Sequence, residues 1–119
     1  MKNFKELKIW QKGMEIAALS YKLAQSFPKE EKFGLSVQIT RSAVSIPSNI
    51  AEGSSRSSDK DYRRFLEMAL GSGFELETQL LIAKTSDIGS KDVLNDLLQL
   101  LDEEQKMLMS FIRKLGNPV

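Results

Sequence analysis

Residues 41–53 read RSAVSIPSNIAEG, and this stretch decides how the rest of the chain is interpreted. Apolar residues in it, and just before it, recur at spacings of three and four, which predicts a helix over residues 32–53. They are Leu35, Ile39, Ala43, Ile46 and Ile50. Pro47 lies inside this helix and removes one backbone hydrogen bond, at a cost of about 3 kcal/mol. Because the apolar spacing stays in phase on both sides of Pro47, we predict a kink there instead of a break.

Three further segments have helical spacing, and we predict helices over about residues 4–26, 59–86 and 91–115. We expect the core face of the first to consist of Phe4, Leu7, Trp10, Met14, Ala17, Tyr21 and Ala24. Side chains suited to N-caps stand at the three helix starts, namely Asn3, Ser58 and Ser90. The intervening loops are short, so sequential helices run antiparallel. The sequence therefore predicts an all-α fold, an up-and-down antiparallel four-helix bundle that forms a single domain over residues 1–119.

The composition excludes several classes of function. The 119 residues include no Cys and no His, which removes Cys nucleophiles, the usual zinc sites and Ser-His triads. We predict no cofactor, no metal and no enzymatic activity, since Glu with Lys or Arg would have to supply all acid-base chemistry. The net charge of +1 gives no overall field that attracts nucleic acid or an anionic membrane.

The chain also lacks the signals of a membrane or secreted protein. Its longest uncharged run, residues 42–51, is far shorter than the roughly 20 apolar residues that a spanning helix needs. The absence of Cys removes disulfides, and we expect a cytoplasmic location.

The helix over residues 32–53 carries a polar stripe among its apolar side chains. Its members are Gln38, Arg41, Ser45, Ser48, Asn49 and Glu52. In a hairpin with the next helix, Arg41 would lie within a turn of Glu67 and Glu75. Glu52 would lie near Lys60. We interpret Arg41, Glu52, Glu67 and Glu75 as a buried interhelix network that fixes register. A polar groove for a ligand is the alternative.

Two surface features suggest binding. Four basic side chains surround the turn between the second and third helices: Arg56, Lys60, Arg63 and Arg64. They are candidates for contacts to nucleic-acid phosphates, which a ring of subunits would multiply. A solvated helix end is the alternative for the same charges. The third helix also has a second apolar stripe, about 100° from its core face, which predicts an oligomer interface. That stripe consists of Leu70, Phe74 and Leu81.

Residues 34–53, GLSVQITRSAVSIPSNIAEG, resemble the bacterial four-helix-bundle proteins named after the intervening sequences of 23S ribosomal RNA genes. The similarity continues through residues 65–72 and 75–80 and extends over nearly the whole chain. It implies a bundle packed into a ring, a homopentamer, with no known enzymatic activity. It also implies kinship with the accessory variability proteins of diversity-generating retroelements, which are thought to engage nucleic acid and a reverse transcriptase.

Two functions follow as hypotheses. The first is a non-catalytic homo-oligomeric accessory protein that binds RNA or another nucleic acid through the basic residues near the turn. The second is a protein-interaction scaffold with no nucleic-acid role, which holds a partner protein on the apolar stripe or the polar stripe. The sequence disfavours an enzyme, because no convergent acid-base pair is visible in it.

Overall fold

The apolar spacing along the chain produces a bundle of four α-helices. In the computed structural model, which describes residues 3–116, they are α1 (Lys8–Gln25), α2 (Leu35–Ser54), α3 (Asp59–Thr85) and α4 (Lys91–Lys114). Each helix packs against two others, because α2 and α4 each contact both α1 and α3. No strand occurs among residues 3–116. The predicted all-α four-helix bundle is therefore confirmed. None of its helices is long and apolar enough, within residues 3–116, to cross a membrane.

The first two helices begin later than predicted. Phe4–Glu6 form a separate 3-10 turn, which Asn3 caps by accepting a hydrogen bond from the Lys5 N–H at 3.2 Å. Leu7 is extended after it, so α1 starts at Lys8 and not at residue 4. A second 3-10 turn, Lys29–Glu31, follows Pro28. It shifts the start of the second helix from residue 32 to Leu35, because proline fixes an extended entry to that turn.

Pro47 does not interrupt α2, which is one helix from Leu35 to Ser54. Its ring is buried and faces α1 at Gly13, where a Cβ atom would lie only 3.3 Å from the Pro47 Cβ. Two residues after it, Asn49 Nδ2 donates a hydrogen bond to the Ser45 carbonyl at 2.9 Å. The prediction that no break occurs is correct, and the kink stays a prediction.

The other two predicted caps form as expected. The Ser58 Oγ accepts a hydrogen bond from the Asp61 N–H at 3.1 Å at the start of α3. The Ser90 Oγ accepts one from the Val93 N–H at 3.4 Å at the start of α4. Between these helices, Gly89 has a φ of 86°, and a Cβ there would collide with the Phe27 ring. The turn therefore requires glycine both for its backbone and for the close approach of Phe27.

Candidate interaction surfaces

The four basic residues of the predicted nucleic-acid site do meet at the α2–α3 turn. Acidic neighbours hold two of them: Arg56 Nη2 lies 2.7 Å from a Glu52 carboxylate oxygen, and Arg64 Nη2 lies 3.0 Å from Asp61. Arg63 instead reaches the end of α4, where its Nη1 donates to the Gly116 carbonyl at 2.7 Å. These three side chains therefore have partners inside the chain already.

Phe65 organises the same end of the bundle. The guanidinium carbons of Arg56 and Arg64 each lie 4.6 Å from the centroid of its ring, within the range of a cation–π contact. Lys60 is the exception in this cluster, since it is exposed and forms no ion pair with any residue between 3 and 116. The carboxylates of Glu52, Asp59, Asp61 and Glu67 stand among the four cations, so the positive field at this end is small.

The predicted buried network does not form within the chain. Arg41, Glu67 and Glu75 are exposed, and no ion pair in the described part of the chain joins them. Glu52 is also exposed. It pairs with Arg56, four residues further along the chain, and not with Lys60. The network interpretation was therefore wrong for the isolated subunit.

Small side chains explain why charges are kept out of the α2–α3 contact. A Cβ at Gly53 would lie 2.8 Å from the Phe65 Cβ, so the two helices approach closely there. Further along, the hydroxyls of Ser45 and Ser72 hydrogen-bond to each other at 2.8 Å, and Asn49 Nδ2 donates to the Ser45 Oγ at 3.0 Å. Longer charged side chains find no room in so close a contact and extend into solvent.

The outer face of α3 exposes apolar side chains of the predicted oligomer interface among charged ones such as Glu67 and Glu75. Phe74 is 48% exposed and Leu81 is 45% exposed, whereas Leu70 is half-buried and packs against the core. Two further exposed residues, Met68 and Ile82, widen the surface. We call Met68, Leu70, Phe74, Leu81 and Ile82 the α3 stripe. The interface itself stays a prediction, because one subunit cannot show what covers it.

A second apolar surface, which we call the α1–α2 groove, was missed in the sequence. It is lined by Trp10, Met14, Ala17, Ala18, Tyr21, Val44, Pro47, Ser48 and Ala51. Met14 and Tyr21, which the apolar spacing predicts on the core face of the first helix, are both exposed. The core face of α1 is instead formed by Ile9, Gly13, Ile16, Ala17, Ser20 and Leu23. The seven-residue spacing of Ile9, Ile16 and Leu23 is the signal that could have corrected the assignment.

Comparison with known proteins identifies this architecture. Residues 5–110 match the family model described as 23S rRNA-intervening sequence protein. The chain belongs to this family. A crystal structure of a protein with unknown function from the S23 ribosomal protein family of Bacteroides thetaiotaomicron is similar in fold. Its TM-score is 0.77 at 31% identity, and the alignment covers 87% of this chain and 97% of that chain. No curated protein matches the chain.

The core of this member of the 23S rRNA-intervening sequence family contains a buried acidic residue. Glu104 on α4 is 0% exposed, and neither of its carboxyl oxygens has a hydrogen-bond partner in the described part of the chain. Burial raises the pKa of Glu104 to about 8, although Lys12 nearby opposes the change. Sequence reasoning missed this residue because Asp102, Glu103 and Glu104 look like one solvated run. The spacing of Leu97, Leu101 and Leu108 includes position 104 in the core stripe and could have revealed it.

The remaining polar chemistry of this family member is sparse. Gln105 Nε2 donates to a Glu77 carboxylate oxygen at 3.0 Å, which links α4 to α3. Lys12 Nζ lies 2.8 Å from a Glu103 oxygen and links α1 to α4. Within residues 3–116 there is no group of three or more acidic side chains placed to hold a metal ion. The two apolar surfaces are thus the candidate sites that we consider further.

Proposed function

We propose that this protein is a non-catalytic accessory protein that assembles with copies of itself into a closed ring, a pentamer. The observation that carries the proposal is the presence of two separate apolar surfaces, the α3 stripe and the α1–α2 groove, on one small bundle. Exposed apolar patches of this kind are typical of protein–protein interfaces.

The shapes of the two surfaces favour contact of one with the other. The α3 stripe is a convex helix face on which Phe74 and Leu81 project. The α1–α2 groove is a depression with the small residues Ala18, Ser48 and Ala51 among its lining. A stripe seated in the groove of the next copy is a head-to-tail contact, and repetition of such a contact closes into a ring when the rotation allows it.

Two complementary variants test this arrangement. Phe74→Asp damages the stripe and leaves the groove intact, whereas Val44→Asp damages the groove and leaves the stripe intact. We expect each variant alone to be monomeric in native mass spectrometry. An equimolar mixture should form a 1:1 dimer, because the pair retains one undamaged stripe and one undamaged groove.

The mixture distinguishes head-to-tail contact from the alternatives. Gln99→Asp, an exposed position on α4, is the matched control and should assemble like the unaltered chain. Assembly of Val44→Asp alone would indicate a contact of stripe with stripe, and assembly of Phe74→Asp alone a contact of groove with groove. A mixture that stays monomeric would contradict the head-to-tail contact. An unaltered chain that is monomeric at every concentration would refute the ring.

We propose nucleic-acid binding at the α2–α3 turn as a second function. It is supported by the exposed Lys60, which forms no ion pair with any residue between 3 and 116, and it is opposed by the ion pairs of Arg56 and Arg64. A ring would bring several copies of this turn onto one particle, which strengthens weak phosphate contacts.

RNA binding measured at rising salt tests the second function. We expect Lys60→Glu to weaken binding, and reversal of Arg63 and Arg64 to weaken it equally for all RNA sequences. Lys22→Glu, an exposed position on α1, is the control and should bind like the unaltered chain. Absence of binding at low ionic strength, or binding that does not fall with salt, would leave the protein-interaction scaffold as the function.

A further inference from the structure

Glu104 occupies a position in the core where α1, α2 and α4 meet. Gly13 on α1 leaves room for its carboxyl group, since a Cβ at Gly13 would lie 3.2 Å from Glu104 Oε2. The same Cβ would lie 3.3 Å from Pro47 and 3.4 Å from Ile46, both on α2. The carboxyl group therefore lies against the bare backbone of α1, at the level where α1 packs on apolar side chains of α2.

The charged groups around Glu104 do not neutralise a carboxylate at this position. On α1, Lys12 favours the ionised form and Glu15 opposes it. Lys12 is already hydrogen-bonded to Glu103, the exposed neighbour of Glu104 on α4, at 2.8 Å. On α2, the side chains at the level of Gly13 are the uncharged Ile46 and Pro47. On α3, Glu77 is held by Gln105, whose side chain also faces Gly73.

We propose that Glu104 is a proton-binding site inside the bundle, and that release of its proton loosens the contact of α4 with α1 at Gly13. As the neutral acid, Glu104 fits an apolar environment at small cost, whereas an unpaired buried carboxylate is strongly destabilising. Ionisation must then be accommodated by movement of the helices or by entry of water at this contact.

Proton release at Glu104 bears on assembly through the residues that it contacts. Pro47 lies against Gly13 on its inner side and also lines the α1–α2 groove, together with Ala17. A change in the spacing of α1 and α2 at this level would alter the shape of the groove. This consequence rests on the proposed function, in which the groove receives the α3 stripe of the next subunit, whereas the proton site itself does not.

The direction of the pH effect follows from the two pKa values. In the unfolded chain Glu104 ionises near its ordinary value of 4.5, whereas in the folded chain it retains its proton up to about 8. The stability that Glu104 contributes is therefore complete below about pH 4.5 and is lost progressively as the pH rises to about 8. Glu104→Gln, which is uncharged at every pH, should lack this dependence.

Carboxyl ¹³C titration of the full-length chain tests the proton site directly. We expect the Glu104 signal to titrate with a midpoint near pH 8. A midpoint in the ordinary range of about 4.3 would overturn the proposal, and this result needs no variant that folds.

Urea unfolding at several pH values provides the second readout. The unaltered chain and Glu104→Gln should have similar midpoints at pH 4.5, and the unaltered chain should have the lower midpoint at pH 9. Glu75→Gln removes an exposed carboxylate and should follow the unaltered chain. Parallel curves for the unaltered chain and Glu104→Gln would overturn the proposal.

Native mass spectrometry at pH 6.5 and pH 9 tests the proton-site proposal and the ring proposal independently. Dissociation of the unaltered assembly at pH 9, with Glu104→Gln still assembled, supports both. A chain that is monomeric at both pH values but whose Glu104 titrates near pH 8 supports the proton site and refutes the ring.

Discussion

At the scale of single residues, two glycines in helices have opposite roles. Gly53 lies where α2 and α3 are closest, and a Cβ there would lie 2.8 Å from the Phe65 Cβ and 3.1 Å from the Tyr62 ring. Gly71 lies on the exposed side of α3, and a Cβ there would meet nothing within 4 Å. The first glycine is required by packing, whereas the second only lowers helix propensity.

Alanine at these two positions should therefore change the free energy of unfolding in opposite directions. Gly71→Ala should stabilise the chain by about 1 kcal/mol, the difference in helix propensity between the residues. Gly53→Ala should destabilise it, since overpacking of about 1–3 kcal/mol outweighs the same gain. Urea unfolding in a Phe74→Asp background checks this without a contribution from assembly. A more stable Gly53→Ala chain would show that the α2–α3 contact can widen freely.

At the scale of elements, the sequence predicts what depends on local chemistry. The helices α3 and α4 begin where Ser58 and Ser90 supply an N-cap, and apolar spacing marks their length. The 3-10 turns before α1 and α2 were not predicted. The backbone leaves the helical conformation at Leu7 and at Gly34, and apolar spacing does not indicate this.

Which face of a helix is buried depends on its neighbours, and here sequence reasoning was less successful. Trp10, Met14 and Tyr21 have helical spacing but line a groove, because Ile9 and Ile16 point to the centre. A scale of hydrophobicity cannot separate an interface from a core when both are apolar. The same limitation hid Glu104, an acid at a core position.

The sequence predicted which residues form the candidate sites but not which partners those residues contact. Sequence reasoning located the cations at the α2–α3 turn and the apolar residues of the α3 stripe. It could not anticipate that Arg63 would extend to the Gly116 carbonyl, or that Arg41 would remain exposed. Such partners depend on the rotation and tilt of each helix, which distant packing sets.

At the scale of the whole molecule, the bundle is an elongated body of 45 × 24 × 21 Å. A slender body has much surface for its volume, so a chain of 119 residues leaves apolar side chains uncovered that a rounder domain would bury. Both apolar surfaces are built by side chains along the helices, so docking of a second copy would cover several turns of helix at once. Assembly would then complete the burial that a single subunit begins.

Stability should consequently depend on protein concentration. Subunit docking favours the folded chain by mass action, so the urea midpoint of the unaltered protein should rise as its concentration increases a hundredfold. Phe74→Asp should not dock with copies of itself and should keep one midpoint over the same range, while the midpoint of Gln99→Asp should rise with that of the unaltered chain. The contrary result is a urea midpoint that does not change over the concentrations at which native mass spectrometry detects the ring. Docking would then add nothing to folding, and the two apolar surfaces would serve another partner.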